Sequence, residues 1–295
     1  MDKKSFTLIE LMVVVIVVGI ISAIIYGSVT TINERTTFAK AQLFSQKLNN
    51  SLAENIVGQW DLNGDTKDLS GNGNDGAIAG TVTWDTDKIN CVSGGCATFS
   101  VGRIQIPGLT SLPGNMTFSG WFKKTTSNWV LSIAFLGKRN SATGWMLYRN
   151  SGDTAGYFRW YSHYITTSEV VATYYAWPGI YGLVDGKWYH FSVSRTAAGA
   201  TTIYVNGKVN SSYSPPADFS RWSTNANGIS IGSERSGSSS WSCNEAQIDE
   251  VTIYDEALLT AQIQENYYSG LNKLFINNQI GESEYLSRMK AALNE

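Results

Sequence analysis

Met116-Thr117-Phe118-Ser119-Gly120-Trp121-Phe122 alternates apolar and small polar residues and ends on two aromatics. That pattern is the mark of a β-strand, whose side chains point to opposite faces in turn. The same reading extends outward in both directions. Ala97-Thr98-Phe99-Ser100-Val101 lies before it, and Trp188-Tyr189-His190-Phe191-Ser192-Val193-Ser194, Thr202-Ile203-Tyr204-Val205 and Ile248-Asp249-Glu250-Val251-Thr252-Ile253-Tyr254 lie after it. Clusters of Gly, Asn, Asp and Ser separate such segments at roughly 8–12-residue intervals, the spacing of an antiparallel sandwich. Val205-Asn206-Gly207-Lys208 predicts a tight type I′ hairpin. No internal period is visible, which excludes a solenoid or propeller. The expectation is a mainly β chain with an antiparallel β-sandwich over 56–257.

The composition agrees. The 295 residues include 28 Gly, 12% aromatic and only 16% charged residues, with a net charge of -2. A charge balance so near neutral argues against a nucleic-acid partner, which calls for a basic patch. A four-ligand zinc site would find little to recruit beyond the cysteines, because the chain has only two His. Cys91-Val92-Ser93-Gly94-Gly95-Cys96 places two cysteines at hairpin distance, so a Cys91–Cys96 disulfide and an oxidising compartment are expected. Cys243 is left over, and pairing of Cys91 or Cys96 with Cys243 stays open.

The N-terminus is of another kind. Residues 1–5 are polar and carry Lys3 and Lys4. From Phe6 to Tyr26 runs an apolar segment of about 21 residues, roughly 32 Å as a helix and enough to span a bilayer. It is too long for the apolar core of a cleaved secretory signal. The lysines place residues 1–5 on the cytoplasmic side. Within the apolar run sits Glu10, a carboxylate that needs a partner there. Residues 27–54 then repeat apolar positions at three- and four-residue spacing, predicting a continuing amphipathic helix.

Lys4-Ser5-Phe6-Thr7-Leu8-Ile9-Glu10-Leu11 resembles the class III signal of type IV prepilins and type II secretion pseudopilins. The resemblance implies a leader of 1–5 cut between Ser5 and Phe6 by a prepilin peptidase, and N-methylation of Phe6. It also implies a helix over 6–54 that is transmembrane at 6–26 and amphipathic at 27–54. Glu10 would be the assembly glutamate, meeting the Phe6 ammonium of a neighbouring pilin subunit; such pairing is what makes a buried carboxylate tolerable. Ser5 stands where that family usually has Gly, and Gly27 where many members have a helix-breaking Pro.

A second resemblance covers the middle of the chain. Gln59-Trp60-Asp61-Leu62, Asp68-Leu69-Ser70-Gly71-Asn72-Gly73-Asn74-Asp75-Gly76, the Met116–Phe122 strand, Gly186-Lys187-Trp188-Tyr189-His190-Phe191, Ile203-Tyr204-Val205-Asn206-Gly207-Lys208 and the segment from Ile248 to Leu258 occur in the order found in laminin-G-like, or concanavalin A-like, jelly rolls. That superfold hosts lectins, glucanases and adhesion modules alike. Its glucanases carry Glu-x-Asp-x-x-Glu on one strand, and no such strand is present here. Asp249 and Glu250 are adjacent on a strand and so should face opposite ways. His163 and His190 have no Ser or Cys elbow beside them. The chain therefore reads as a non-enzyme.

The oxygen-rich loop from Asp68 to Gly76 suits a hard cation, Ca²⁺. By position in relatives, the ligands of a structural calcium would be Asp61, the loop around Asn72, and Asp249, with Asp68 in reserve. Trp160, Tyr161, Tyr164, Tyr174, Tyr175, Trp177 and Tyr181 gather in a charge-poor stretch that suits either stacking on a ligand or covering the core, and core cover is the reading preferred. The tail, 258–295, reads as a closing helix to Tyr268 and two short helices over 272–280 and 283–293, docked loosely. Together these features imply a type IV pilus-like minor subunit. It would be held in the cytoplasmic membrane and then displayed outside the cell, where the jelly roll meets a glycan or a surface protein. A secretion pseudopilin and a membrane-tethered lectin-like or carbohydrate-active protein are the alternatives.

Overall fold

The computed structural model describes residues 52–110, 114–125, 133–139, 143–149, 158–180, 183–223, 228–233 and 243–293. The expected leader at 1–5 and membrane helix at 6–26 lie outside these residues. Of the helix expected to run to 54, the described end is a 3-10 turn at Ala53–Asn55. Among the described residues no helix is long and apolar enough to cross a membrane.

The strands are β1 (Ile56–Trp60), β2 (Ala77–Asp85), β3 (Cys96–Ile106), β4 (Met116–Lys124), β5 (Ile133–Arg139), β6 (Gly144–Arg149) and β7 (Phe158–Thr166). After them come β8 (Val171–Ile180), β9 (Trp188–Arg195), β10 (Thr201–Val205), β11 (Lys208–Tyr213), β12 (Phe219–Trp222), β13 (Ile229–Ile231) and β14 (Cys243–Tyr254). Neighbours follow one hydrogen-bonded path, β11-β10-β9-β4-β14-β3-β13-β5-β6-β7-β12, with β1 beside β14, β2 beside β3 and β8 beside β7. The path folds back on itself into a jelly-roll sandwich. Phe118 of β4 lies 5.5 Å from the Trp145 ring of β6 and 5.7 Å from the Trp160 ring of β7, so the β4 layer faces the β5–β7 layer. The core is the alternate residues of both layers: Phe99, Phe118, Phe122, Phe135, Leu147, Phe158, Trp160, Phe191, Val193 and Ile203.

The hairpin between β10 and β11 follows its chemistry. Asn206 and Gly207 both have positive φ, 51° and 75°, and Val205 pairs with Lys208 as a two-residue type I′ turn requires.

Every residue of β4 is buried, not only the core-facing ones. The outer face is covered by α1 (Thr260–Ile276), followed by α2 (Glu282–Leu293). Where the sequence reads as two elements parted near Ser269-Gly270, there is one helix. Gly270 is set by packing: a Cβ there would stand 2.3 Å from Trp121 Nε1. Tyr267 stacks on the same indole with centroids 5.7 Å apart, and Ile263, Leu271 and Leu274 are buried beside it. The tail is thus a tightly docked lid. Its approach gives the outer-face hydroxyls their partners, with Thr117 Oγ1 donating to the Glu256 carbonyl and accepting from Leu258 N, both at 2.8 Å.

Candidate functional site

The loop after β1 closes back on that strand. Asp68 accepts the backbone amides of Gln59 (2.9 Å), Ser70 (3.0 Å) and Asn74 (2.9 Å). Leu69 N donates to the Gln59 carbonyl at 2.7 Å. Asn72 Nδ2 donates to the carbonyls of Ile56 and Val57, and Asn74 Nδ2 to that of Val57. β1 pairs with β14 on one side only, and on its other side the loop takes up the exposed backbone groups that an edge strand would otherwise present. Burial pushes the Asp68 carboxyl up, but the hydrogen bonds from Gln59, Ser70 and Asn74 outweigh it and hold the pKa below the usual carboxylate value.

A second cluster forms where β14 passes under the 91–96 hairpin. Cys91 and Cys96 form a disulfide with Cα atoms 5.4 Å apart; the side chain of Cys243 lies outside the described residues. Asp249 is fully enclosed, and its Oδ2 accepts the consecutive amides of Val92 (2.8 Å) and Ser93 (3.1 Å) while its Oδ1 has no partner. Glu250 accepts the Ser93 hydroxyl and pairs with Lys273 of α1 at 2.8 Å. Asp249 and Glu250 were expected on opposite faces, yet both meet Ser93. The reason is a bulge: pairing with β4 slips between Asp249 and Thr252, and Glu250 adopts a positive φ of 53°. Burial, then the Glu250 charge, push the Asp249 pKa well above the usual value, against the pull of the Ser93 and Val92 amides and Lys273. Asn277 Nδ2 and Gln279 Nε2 reach the Val92 and Cys91 carbonyls, so the turn between the two helices clamps the hairpin. Lys123 of β4 donates to the Asn90 carbonyl and lies 4.8 Å over the Trp188 ring. Burial draws its pKa down to about 8, against the charges of Asp85 and Asp249.

These positions bear on the expected calcium ligands. Asp68 and Asn72 hold the loop to β1. Asp61 Oδ2 accepts Asn63 Nδ2 at 2.7 Å. Asp249 sits under the disulfide hairpin. Among the described residues, the group of three metal-type side chains whose ligand atoms converge is Asp85, Cys91 and Cys96, and its two sulfurs are bonded to each other.

The histidines are internal. His190 is 1% exposed, its Nε2 stands 2.7 Å from Ser119 Oγ, and Trp121 and Tyr267 pack on its ring. Its Nδ1 is sealed without a partner, and burial drives its pKa to about 3, so it is neutral. The Ser119–His190 pair lies beneath α1, and among the described residues no third group orients the ring through Nδ1. His163 Nε2 lies 2.9 Å from Tyr161 Oη. Of the aromatic cluster, Trp160 is in the core and Tyr161 and Tyr164 are buried; the side chains of Tyr174, Tyr175, Trp177 and Tyr181 lie outside the described residues.

A family model described as "concanavalin A-like lectin/glucanases superfamily" matches residues 100–264, more than half of the chain. The chain belongs to that superfamily. The prokaryotic N-terminal methylation motif matches residues 1–26, so the lectin-like module is fused to a pilin-type N-terminus. No curated protein matches the sequence. Among solved structures, this superfamily member is similar to domain 4 of AbnA, a GH43 extracellular arabinanase from Geobacillus stearothermophilus solved with arabinotriose. The identity is 21%, over 72% of this chain and 98% of that one, with a TM-score of 0.54. The ligand binding domain of botulinum neurotoxin serotype D, solved with N-acetylneuraminic acid, is similar at 14% identity, over 76% of this chain and 53% of the other, with a TM-score of 0.55. The binding domain of Paraclostridial Mosquitocidal Protein 1 is similar at 17%, over 75% and 53%, also with a TM-score of 0.55. The chain spans about half the length of these toxin domains. At such identities the likeness is one of fold.

The clamp of Ser93, Glu250 and Lys273 was missed from sequence, though a signal existed. Ile248, Val251 and Ile253 are all core residues, and the step of three from Ile248 to Val251 is a phase slip that strict alternation forbids.

Proposed function

We propose that this chain is a type IV pilus-like subunit that displays its lectin-like module outside the cell as an adhesive surface for a glycan or a surface protein. The observation that carries the reading is the joining of a methylation motif at 1–26 to a closed, lectin-type sandwich whose grouped carboxylates are spent on holding it together. The N-terminal segment anchors the precursor in the cytoplasmic membrane. A prepilin peptidase then cuts between Ser5 and Phe6, and the freed helix joins other pilin subunits, Glu10 against a neighbour's N-methyl-Phe6. The pairing neutralises a carboxylate that lipid and packed helices disfavour, and it fixes the axial register of otherwise apolar helices. Two structural relatives were solved with sugars, which supports a glycan as the ligand class.

The mass of the mature N-terminus tests this reading. A chain that begins at N-methyl-Phe6 supports it, and a chain that still begins at Met1 overturns it in favour of a membrane-tethered lectin-like module. With processing established, recovery in sheared surface filaments separates the pilus subunit from a secretion pseudopilin, and Glu10→Ala is expected to be cleaved but absent from those filaments.

A further inference from the structure

Arg195 closes one end of the sandwich in an unusual condition. It is 2% exposed, and its Nε is sealed without a partner among the described residues. Directly opposite on β10 stands Thr201, 1% exposed, whose Oγ1 is likewise sealed and unpartnered. Val193 and Ile203, two residues back along the same register, are core residues, so Arg195 and Thr201 both point between the layers.

The surroundings are built rather than loose. The Trp222 ring lies 4.7 Å from the guanidinium carbon, and its Nε1 donates to the Thr196 carbonyl at 2.7 Å, which fixes the ring. Phe219 packs edge-on against Trp222 at 5.0 Å, Tyr164 stacks on Phe219 at 5.7 Å, and a Cβ on Gly199 would stand 2.9 Å from Phe219. The nearby carboxylate, Asp218, is held by the Tyr164 hydroxyl at 2.9 Å. The pKa of Arg195 is drawn down to about 9 by burial, and no acid among the described residues offsets its charge.

A buried cation normally has an anion, and a buried hydroxyl normally has a partner. Here Arg195 Nε and Thr201 Oγ1 both lack them among the described residues, on adjacent strands and facing the same way. We infer that Arg195 Nε–H and Thr201 Oγ1–H are the two donors of an oxyanion site, roofed by Trp222, that takes the carboxylate of an acidic ligand. A guanidinium placed over an aromatic ring suits planar carboxylate recognition. The same chemistry is offered by a uronic-acid sugar and by a small free carboxylate. The inference does not rest on filament assembly: the N-terminal mass decides that question and the titration below decides this one.

The test is a titration of the full-length chain in detergent with glucuronate, acetate and glucose at constant ionic strength. It is read by the side-chain ¹⁵Nε–¹H resonance of Arg195, assigned by its loss in Arg195→Lys. The site requires a saturable shift with a carboxylate and none with glucose. Glucuronate alone would identify an acidic sugar, and equal binding of acetate a simple carboxylate. Thr201→Val, nearly isosteric, should weaken binding roughly tenfold while the melting temperature of the free protein holds. No saturable shift with either carboxylate up to about 100 mM would overturn the proposal, as would unchanged affinity in Thr201→Val.

Discussion

The two faces of β4 are buried to the same degree by different means. Phe118 and Phe122 on the inner face interlock with Phe135, Phe158, Trp145 and Phe191 across the sandwich. Thr117, Ser119, Trp121 and Lys123 on the outer face are covered by α1 and the segment that ends in the disulfide hairpin, and most are secured by named hydrogen bonds. Apolar interlocking is tolerant of small shifts. A polar layer holds only while each donor and acceptor keeps its partner. The inner face therefore supplies most of the stability, and the outer face decides which segments lie on it.

The largest effect is expected from Phe118→Ala. It removes a ring that touches Phe135, Trp145 and Trp160, and should cost about 3–5 kcal/mol in chemical denaturation. A loss below about 1 kcal/mol would mean that the layers do not interlock at Phe118. The outer face should respond next. Asp249→Ala leaves the Val92 and Ser93 amides unpaired and should cost about 3 kcal/mol. Asp249→Asn should cost less and change the pH profile. Because burial and Glu250 raise the Asp249 pKa above 3.8, the folded state holds this proton more tightly than the unfolded chain. Its stabilising share is full below the ordinary carboxylate pKa and is lost as pH rises through the raised value. Stability curves of wild type and Asp249→Asn that run parallel above pH 4 would contradict this account.

The inner face was legible in the sequence and the outer cover was not. Alternation from Met116 onward announces a strand with Phe118 and Phe122 inward, and Asn206-Gly207 announces a hairpin, because both are local consequences of backbone geometry. Trp121 carries no local sign that a helix more than a hundred residues later will cover it, and Lys123 none that Asn90 and Trp188 will. Gly270 lies in the gap left between the helices expected to Tyr268 and from 272, and only the Trp121 ring against it accounts for a glycine inside one helix. Asp249 and Glu250 show the same limit: alternation parts them, and only the bulge brings both to Ser93. The Asp68–Gly76 loop was recognisable as a special segment from its oxygen-rich composition. Its role depends on which strand lies beside it, and composition does not specify that.

Gly270→Ala sharpens the contrast at intermediate cost. In a solvent-exposed helix this change would stabilise by up to about 1 kcal/mol. Against Trp121 the new methyl has no room, and a destabilisation of about 1–3 kcal/mol is expected. Pairing it with Trp121→Phe tests the cause, because a smaller ring should relieve part of the clash. A stabilised Gly270→Ala variant would mean that α1 does not rest on the indole.

The smallest expected effect comes from the other carboxylate, and its sign is opposite. Asp68 spends its oxygens on three backbone amides and its pKa is held low, so its contribution is present above the ordinary carboxylate pKa and is lost as pH falls through the lowered value. Asp68→Asn turns one accepting oxygen into a donor facing an amide. It should cost about 1 kcal/mol and remove that acid-side loss. Since the same oxygens would have to serve a calcium ion, chelation should leave the melting temperature of the wild-type protein unchanged. A drop on adding chelator, absent in Asp68→Asn, would show that the loop trades its amide bonds for a cation. Asp249 losing stability toward alkali and Asp68 losing it toward acid would mark one carboxyl as buried against its preference and the other as an anion the fold is built to hold.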